Sequence, residues 1–155
     1  MQKAGRRIAR EFVLKALYAY EMSRNPLELI LNDIITNNIK DHNTRQFAVD
    51  LAKKAVEQHE ELDKQIKKKA MNWDFERIAV LDKLILRMGI CELMFFEDIP
   101  PKVTINEAIE IAKKYSTEKS GSFVNGILDS VLVDLKKSGK LRKTGRGLID
   151  MPIQE

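Results

Sequence analysis

Three arginines stand within five residues near the start of the chain, at Arg6, Arg7 and Arg10. Apolar residues follow at spacings of three and four, which predicts an amphipathic helix over residues 4–22. Because the N-terminal end of a helix is the positive end of its dipole, arginines are locally unfavourable there. A guanidinium group binds phosphate oxygens in pairs and stacks on bases, so the cluster predicts contact with a polyanion. The alternative, from charge alone, is a solvated and frayed chain end.

Two aromatic residues could supply the flat surfaces that unstacked RNA bases need. Tyr18 follows Arg7 by eleven residues, so both lie on nearly the same side of the predicted helix. Phe123 stands beside small polar residues near the start of the last predicted helix. Core packing explains either ring equally well, and the spacing does not decide between the two roles.

The residue types that carry catalysis or bind metals are too few to form a constellation. His42 and His59 are the only histidines and lie far apart in the sequence, while Cys91 is the single cysteine. The apolar neighbours of Cys91 predict a buried thiol rather than a reactive one. The sequence contains neither a glycine-rich phosphate loop nor a nucleophile-elbow motif. We therefore expect no enzyme, no metal site and no cofactor.

Composition is that of an ordinary globular protein of 155 residues, with 44% hydrophobic and 32% charged residues. The net charge of +4 is unevenly placed. Residues 1–10 carry four bases and no acid, residues 136–155 carry six bases and two acids, and the body between them is mildly acidic. No apolar run approaches a membrane span and no secretory signal follows the basic start, so we expect a cytoplasmic protein with no membrane partner. The basic ends again predict a polyanion.

Helical spacing recurs along the whole chain without strand-like alternation. It predicts an all-α fold of about six to seven helices, and the chain length fits one domain with two helical subdomains. Asn25 and Pro26 predict the N-cap and the first turn of a second helix. We expect a long third helix from about Asn43 to Lys69 and a fourth over residues 76–96.

Further signals concern helix ends and packing in the second half of the chain. Thr104 and Glu107 have the spacing of a capping box, which predicts that a helix begins at Thr104. The last helix is expected over residues 121–137, and Gly126 within it predicts the close approach of a neighbouring helix. The segment from Ser138 is rich in glycine and basic residues, which predicts a flexible tail.

Three short segments stand in an order and at spacings that are specific when taken together. The first is Arg6-Arg7-x-Ala9-Arg10-Glu11 followed by Ala16-Leu17-Tyr18. The second is INEAIEIAK at residues 105–113, and the third is FVNGILD at residues 123–129. Across about residues 5–130, the chain thereby resembles the bacterial NusB transcription antitermination factors.

The resemblance implies a single helical domain over residues 1–137. It would contain an N-terminal bundle over residues 1–72 and a C-terminal bundle over residues 73–137, followed by the basic tail over residues 138–155. The turn-forming run Asn72-Trp73-Asp74 agrees with that boundary.

The resemblance also implies an RNA-binding antitermination factor without catalytic activity. Such a protein binds the boxA element of nascent RNA together with NusE, a small-subunit ribosomal protein. It joins RNA polymerase and supports antitermination of ribosomal RNA transcription. Carried over by position, Arg6, Arg7 and Arg10 would hold the RNA backbone, while Tyr18 and Phe123 would meet bases.

Two further positions follow from the same resemblance. Asp82 falls where the family often has an acidic residue that contacts NusE. Lys119 departs from the family, because some members have an acid there, beside the RNA. A lysine attracts phosphate but cannot accept a hydrogen bond from a base, so base discrimination at this point is in question.

Two alternatives compete with this interpretation, and self-association is compatible with it. The chain could be an accessory domain of an RNA methyltransferase, although 155 residues leave no room for a cofactor-binding domain. It could be a protein-interaction bundle whose arginines are incidental. A homodimer, formed through the apolar or the arginine-bearing face, would hide the RNA site.

Overall fold

The computed structural model describes residues 2–71 and 74–149, with side chains from residue 5 onward. In these ranges the chain forms seven α-helices and no strand, so the predicted all-α class is confirmed. The helices are α1 (Gln2–Ser23), α2 (Leu27–Leu31), α3 (His42–Glu57), α4 (His59–Lys69), α5 (Val80–Phe95), α6 (Pro101–Tyr115) and α7 (Glu118–Lys137). A π-helical turn (Asn32–Thr36) follows α2, and 3-10 turns span Phe75–Arg77 and Gly145–Leu148.

The chain divides into two compact units, here called the N-terminal unit (up to His59) and the C-terminal unit (from Glu60). The boundary predicted between residues 72 and 73 falls on Asn72 and Trp73, which lie outside the described residues. That boundary therefore stays a prediction.

The N-terminal unit is built on the packing of α1 against α3. One face of α1 is buried through small and branched residues at helical spacing: Ala9, Val13, Leu14, Ala16 and Leu17. The facing residues of α3 are Phe47, Ala48, Leu51, Ala52 and Ala55. Burial of each larger aliphatic side chain contributes about 2 kcal/mol, so this seam fixes which side of α1 faces the solvent.

Two predicted helix starts in this unit differ from the structure. Pro26, rather than Asn25, occupies the N-cap position of α2, and it makes no side-chain capping bond. Helix α3 is capped by Asp41, whose Oδ2 accepts a hydrogen bond from the Thr44 backbone amide at 2.9 Å. That bond, together with a second one from the Thr44 hydroxyl, lowers the pKa of the Asp41 carboxyl.

The long third helix predicted to run to Lys69 is wrong, because the structure has two helices there. Helix α3 ends at Glu57, Gln58 leaves helical geometry at φ −100° and ψ 16°, and α4 begins at His59. Ala55 and Leu62 lie seven residues apart, which is close to two helical turns. The apolar spacing thus continues across the break and conceals it.

In the C-terminal unit, α6 and α7 pack on each other and on α5. The close helix approach predicted at Gly126 is wrong, since a side chain there would meet nothing within 4 Å. The close approach is at Gly89 of α5, where an added Cβ would lie 3.0 Å from Leu128 Cδ1. A glycine on a buried helix face, rather than an exposed one, makes this contact.

The predicted capping box at Thr104 and Glu107 is also wrong. Helix α6 begins at Pro101, a residue suited to the first helical position, so both residues lie inside the helix and are buried. The Thr104 hydroxyl donates to Glu92 Oε1 of α5 at 2.9 Å. These polar residues therefore serve helix packing rather than a helix end.

The segment after α7, predicted as a flexible tail over residues 138–155, contacts the end of α5 and the turn that follows it through Lys143 and Thr144. Lys143 is buried, and its Nζ donates to the Glu92 and Phe96 carbonyls at 3.0 and 2.8 Å. Burial lowers the pKa of Lys143 to about 8, while the negative charges of Glu92, Asp98 and Glu97 oppose that shift. Lys143, which belongs to the predicted flexible tail, thus donates hydrogen bonds to carbonyls at a helix C-terminus.

Candidate nucleic-acid interface

Two of the three arginines in the N-terminal unit, Arg6 and Arg10, contact one aromatic ring of α3. The guanidinium carbon of Arg6 lies 4.6 Å from the centroid of Phe47, and that of Arg10 lies 5.3 Å from it. Close helix packing places the ring there, because a Cβ added at Gly5 would lie 2.9 Å from Thr44 Oγ1. The negative face of the ring attracts both cations.

The three arginines differ in exposure. Arg7 is exposed, Arg6 is half-buried, and Arg10 is only 3% exposed. Of the three, Arg7 therefore presents most of its surface to a polyanion in solution. Arg10 packs in the interior, so its predicted contact with RNA stays a prediction.

Tyr18 is 43% exposed, so its ring is not a core residue. It lies eleven residues after Arg7 on α1, about 16 Å along the helix axis and nearly on the same side. Ile8 is also half exposed on this helix, although its spacing placed it on the apolar face. The solvent-facing side of α1 thus combines a guanidinium group, a phenol ring and apolar surface.

In the C-terminal unit, the structure brings three predicted site residues together. Asp82 in the first turn of α5 and Lys119 and Phe123 near the start of α7 line one open groove of about 560 Å³. We call it the aromatic groove. The sequence indicated neither the grouping nor two other lining residues, Arg77 and Ser122, because 37 residues separate Asp82 from Lys119.

A buried hydrogen-bond chain fixes the floor of the aromatic groove. The Thr117 hydroxyl caps α7 by accepting the Ser120 backbone amide at 3.0 Å, and the Ser120 hydroxyl donates to Asp82 Oδ2 at 3.0 Å. The other carboxylate oxygen, Asp82 Oδ1, is buried without a hydrogen-bond partner in the described part of the chain. An unsatisfied buried acceptor is costly, and it can accept a hydrogen bond if a ligand reaches it.

The surface of the aromatic groove combines an aromatic ring with positive charges. Phe123 is half-buried at its edge, and the exposed cations Lys119 and Arg77 stand beside it. An accessible ring next to positive charge can stack on a base while the cation attracts phosphate. The contacts of these residues with RNA, and of Asp82 with a protein partner, stay predictions.

Three other features of the described residues concern metal binding, the cysteine and the membrane. No group of three or more histidine, cysteine or acidic side chains is placed to hold a metal ion in that part of the chain. Cys91 is buried, as predicted. In the residues that the structure describes, no helix has the length and apolar character needed to cross a membrane.

The fold and these surfaces define a class of small all-helical proteins with exposed basic and aromatic surfaces. The NusB family model matches residues 7–133, most of the chain. The chain belongs to the NusB family.

Individual relatives agree with that assignment. A transcription antitermination protein NusB from Salinibacter ruber is 49% identical over 154 residues, which cover 98% of this chain and 96% of the relative. The solved structure of NusB from T. maritima matches with a TM-score of 0.77 at 41% identity, covering 83% of this chain and 91% of that one. A crystal structure of antitermination factors NusB and NusE in complex with dsRNA matches with a TM-score of 0.77 at 27% identity, covering 86% and 98%.

Proposed function

We propose that this protein is an RNA-binding transcription antitermination factor. It binds boxA-type single-stranded nascent RNA together with NusE, joins the RNA polymerase antitermination complex and supports transcription of ribosomal RNA. Relatives named transcription antitermination protein NusB support this function, as does the solved complex of NusB with NusE and dsRNA. The protein acts by binding, without catalysis.

The observation that carries the proposal is that each unit presents a cation with an accessible aromatic ring. In the N-terminal unit these are Arg7 and Tyr18, and in the C-terminal unit they are Lys119 and Phe123. Single-stranded RNA is bound by stacking its bases on rings while cations follow its backbone. Arg6 and Arg10 add positive charge behind Arg7.

Asp82 is proposed to contribute to the NusE contact. Its carboxylate is held by Ser120, so its position is fixed before a partner arrives. It lines the groove that also contains Lys119 and Phe123, so RNA and NusE would be bound side by side. Joint binding at neighbouring positions predicts that each ligand raises the affinity for the other.

The test is a fluorescence titration of boxA-type RNA, with and without NusE, at salt concentrations between about 50 and 200 mM. We expect affinity to fall with salt, to rise with NusE, and to exceed that for a scrambled RNA of equal length. Alanine at Arg6, Arg7 and Arg10 together should flatten the salt dependence. Equal binding of both RNAs with no effect of NusE would contradict the proposal and favour a protein-interaction bundle.

The free protein is proposed to form a homodimer through α1, where Ile8 and Met22 are exposed apolar residues. Light scattering over a concentration series tests this, and boxA-type RNA should dissociate the dimer. A monomer at all concentrations would refute the homodimer and leave RNA binding unaffected.

A further inference from the structure

A second basic groove lies in the C-terminal unit, where the last turns of α4 and α7 meet. It has a volume of about 240 Å³ and is lined by Gln65, Lys68, Asp134, Lys137, Ser138 and Lys140. We call it the lysine groove. Its three lysines come from three places: the end of α4, the end of α7 and the turn that follows α7.

The turn after α7 positions the third lysine. Gly139 adopts a positive φ of 73°, and the backbone amide of Lys140 then donates to the Leu135 carbonyl at 3.0 Å. This left-handed turn folds the chain back beside the end of α7. Lys140 is thereby brought to the same groove as Lys137.

The acids nearby do not neutralise the lysine groove. Asp134 pairs with Lys69 at 2.8 Å, and Glu61 lies 3.9 Å from Lys140. Lys68 and Lys137 form no ion pair with any residue in the described ranges. The pKa of Asp134 is lowered, first by its bond from Lys69 and further by the charges of Lys69, Lys68 and Lys137. The groove therefore has a positive potential that its own acids leave uncompensated.

Helix dipoles alone do not explain this arrangement. Lysines in the last turn of a helix are favourable because that end is negative. That argument accounts for Lys68 on α4 and for Lys137 on α7 separately. It accounts neither for their convergence on one concave surface nor for Lys140.

The lysine groove is separate from the aromatic groove. Lys119 and Lys137 lie eighteen residues apart on α7, about 27 Å along the helix axis. One helix thus carries a cationic surface at each end, and only the surface at its start includes a ring.

We propose that the lysine groove binds the sugar–phosphate backbone of RNA outside the boxA-type element, without reading sequence. Lysine is a flexible point charge suited to phosphate, and contacts to phosphate carry no sequence information. Segments that bind a membrane surface insert exposed apolar side chains. The apolar residue that lines the lysine groove, Leu135, is buried, so membrane binding is disfavoured. The identity of the polyanion rests on the proposed function.

The experiment compares four labelled RNAs: a short boxA-type RNA, the same RNA with roughly 10 unrelated nucleotides added at its 5′ end, the same RNA with this addition at its 3′ end, and an unrelated RNA of the extended length. The variant is Lys68→Gln with Lys137→Gln. It should bind the short RNA like the wild type but lose about five- to ten-fold in affinity for at least one extended RNA. Its salt dependence on that RNA should be lower by about 1.4, the contribution of two single-strand phosphates.

The matched control is Lys53→Gln with Lys102→Gln, which removes the same charge from exposed positions outside both grooves. This control variant should keep the higher affinity that the wild type has for the extended RNA. Thermal melting should show that both variants are folded. Equal weakening of short and extended RNA, or no effect on either, would overturn the proposal. So would binding of anionic vesicles that is lost in the variant while the extension gives no gain.

The outcomes also separate this proposal from the proposed function. If the wild type binds unrelated RNA through the lysine groove but shows no preference for the boxA-type element, the groove stands and the proposed function fails. If it prefers the boxA-type element and gains nothing from the extension, the proposed function stands and the groove fails.

Discussion

The two units carry their candidate RNA residues in different ways. The N-terminal unit exposes Arg7 and Tyr18 along one helix, while Arg10 of the same helix is buried against the ring of Phe47. The C-terminal unit gathers Lys119, Phe123 and Asp82 from two helices into a groove. A helix face offers charge at a regular spacing, whereas a groove offers enclosure and fixed hydrogen-bonding groups. We therefore expect the first surface to contribute mainly salt-dependent attraction and the second to contribute stacking.

The largest effect should come from the ring of the aromatic groove. Phe123→Ala is expected to lower affinity for boxA-type RNA roughly 5- to 150-fold, because loss of one base-stacking contact costs about 1–3 kcal/mol. The salt dependence should stay unchanged, since no charge is lost. Fluorescence titration at several salt concentrations measures both quantities. Phe123→Tyr keeps the ring and serves as the control. If the alanine variant had a reduced salt dependence, the C-terminal unit would also act through charge, and the proposed difference between the units would be wrong.

Next in size is the difference between the buried and the exposed arginine. Arg10→Ala should reduce the free energy of unfolding by about 2 kcal/mol, because a desolvated contact with Phe47 and the packing of the side-chain stem are lost. Arg7→Ala should change it by less than about 0.5 kcal/mol, as is usual for an exposed site. Urea denaturation of both variants tests this, and equal destabilisation would mean that Arg7 is also part of the packing.

A smaller effect is expected from charge alone on α1. Arg7→Gln should weaken RNA binding a few-fold and reduce the salt dependence by about 0.7, the value for one phosphate on a single strand. Arg7→Lys keeps the charge and should restore the slope. If the glutamine variant kept the full slope, Arg7 would not contact phosphate and the first surface would need a different explanation.

The smallest expected effects are on the pH dependence of stability, which should rise with pH in both units but over different pH ranges. The pKa of Lys143 is about 8, below its ordinary value of 10.5, so between these values the unfolded chain binds more protons. The stability of the C-terminal unit should therefore rise with pH across that window and show no contribution from Lys143 below it. Urea denaturation at several pH values should show this increment in the wild type and not in Lys143→Met.

In the N-terminal unit the corresponding group is Asp41. Hydrogen bonds from Thr44 lower its pKa, so its contribution is present above the ordinary pKa of an aspartate and is lost as pH falls through the folded value. Asp41→Asn keeps a capping oxygen and should remove the acid-side dependence. If stability fell at low pH in this variant as it does in the wild type, the Asp41 cap would not be the cause of that loss.

Sequence periodicity predicted the helices where one face is buried continuously, as in α1 and α7. It failed where an end is set by geometry that no spacing encodes, as at Gln58, or where a proline starts a helix before a capping pattern, as at Pro101. It also misplaced the close helix contact at Gly126 rather than Gly89. Which glycine faces a neighbour depends on how two helices are rotated against each other.

The sequence by itself determined the all-helical class, the cationic start of α1, the buried Cys91 and membership of the NusB family, because local spacing and matching segments carry that information. Only the tertiary structure decided that Arg10 is buried while Arg7 is exposed, and that Asp82 meets Phe123 in one groove. It alone placed Lys143 under the end of α5 and brought Lys68 to Lys137. Exposure and charge convergence are properties of packed helices, and residues far apart in the chain become neighbours only when those helices meet.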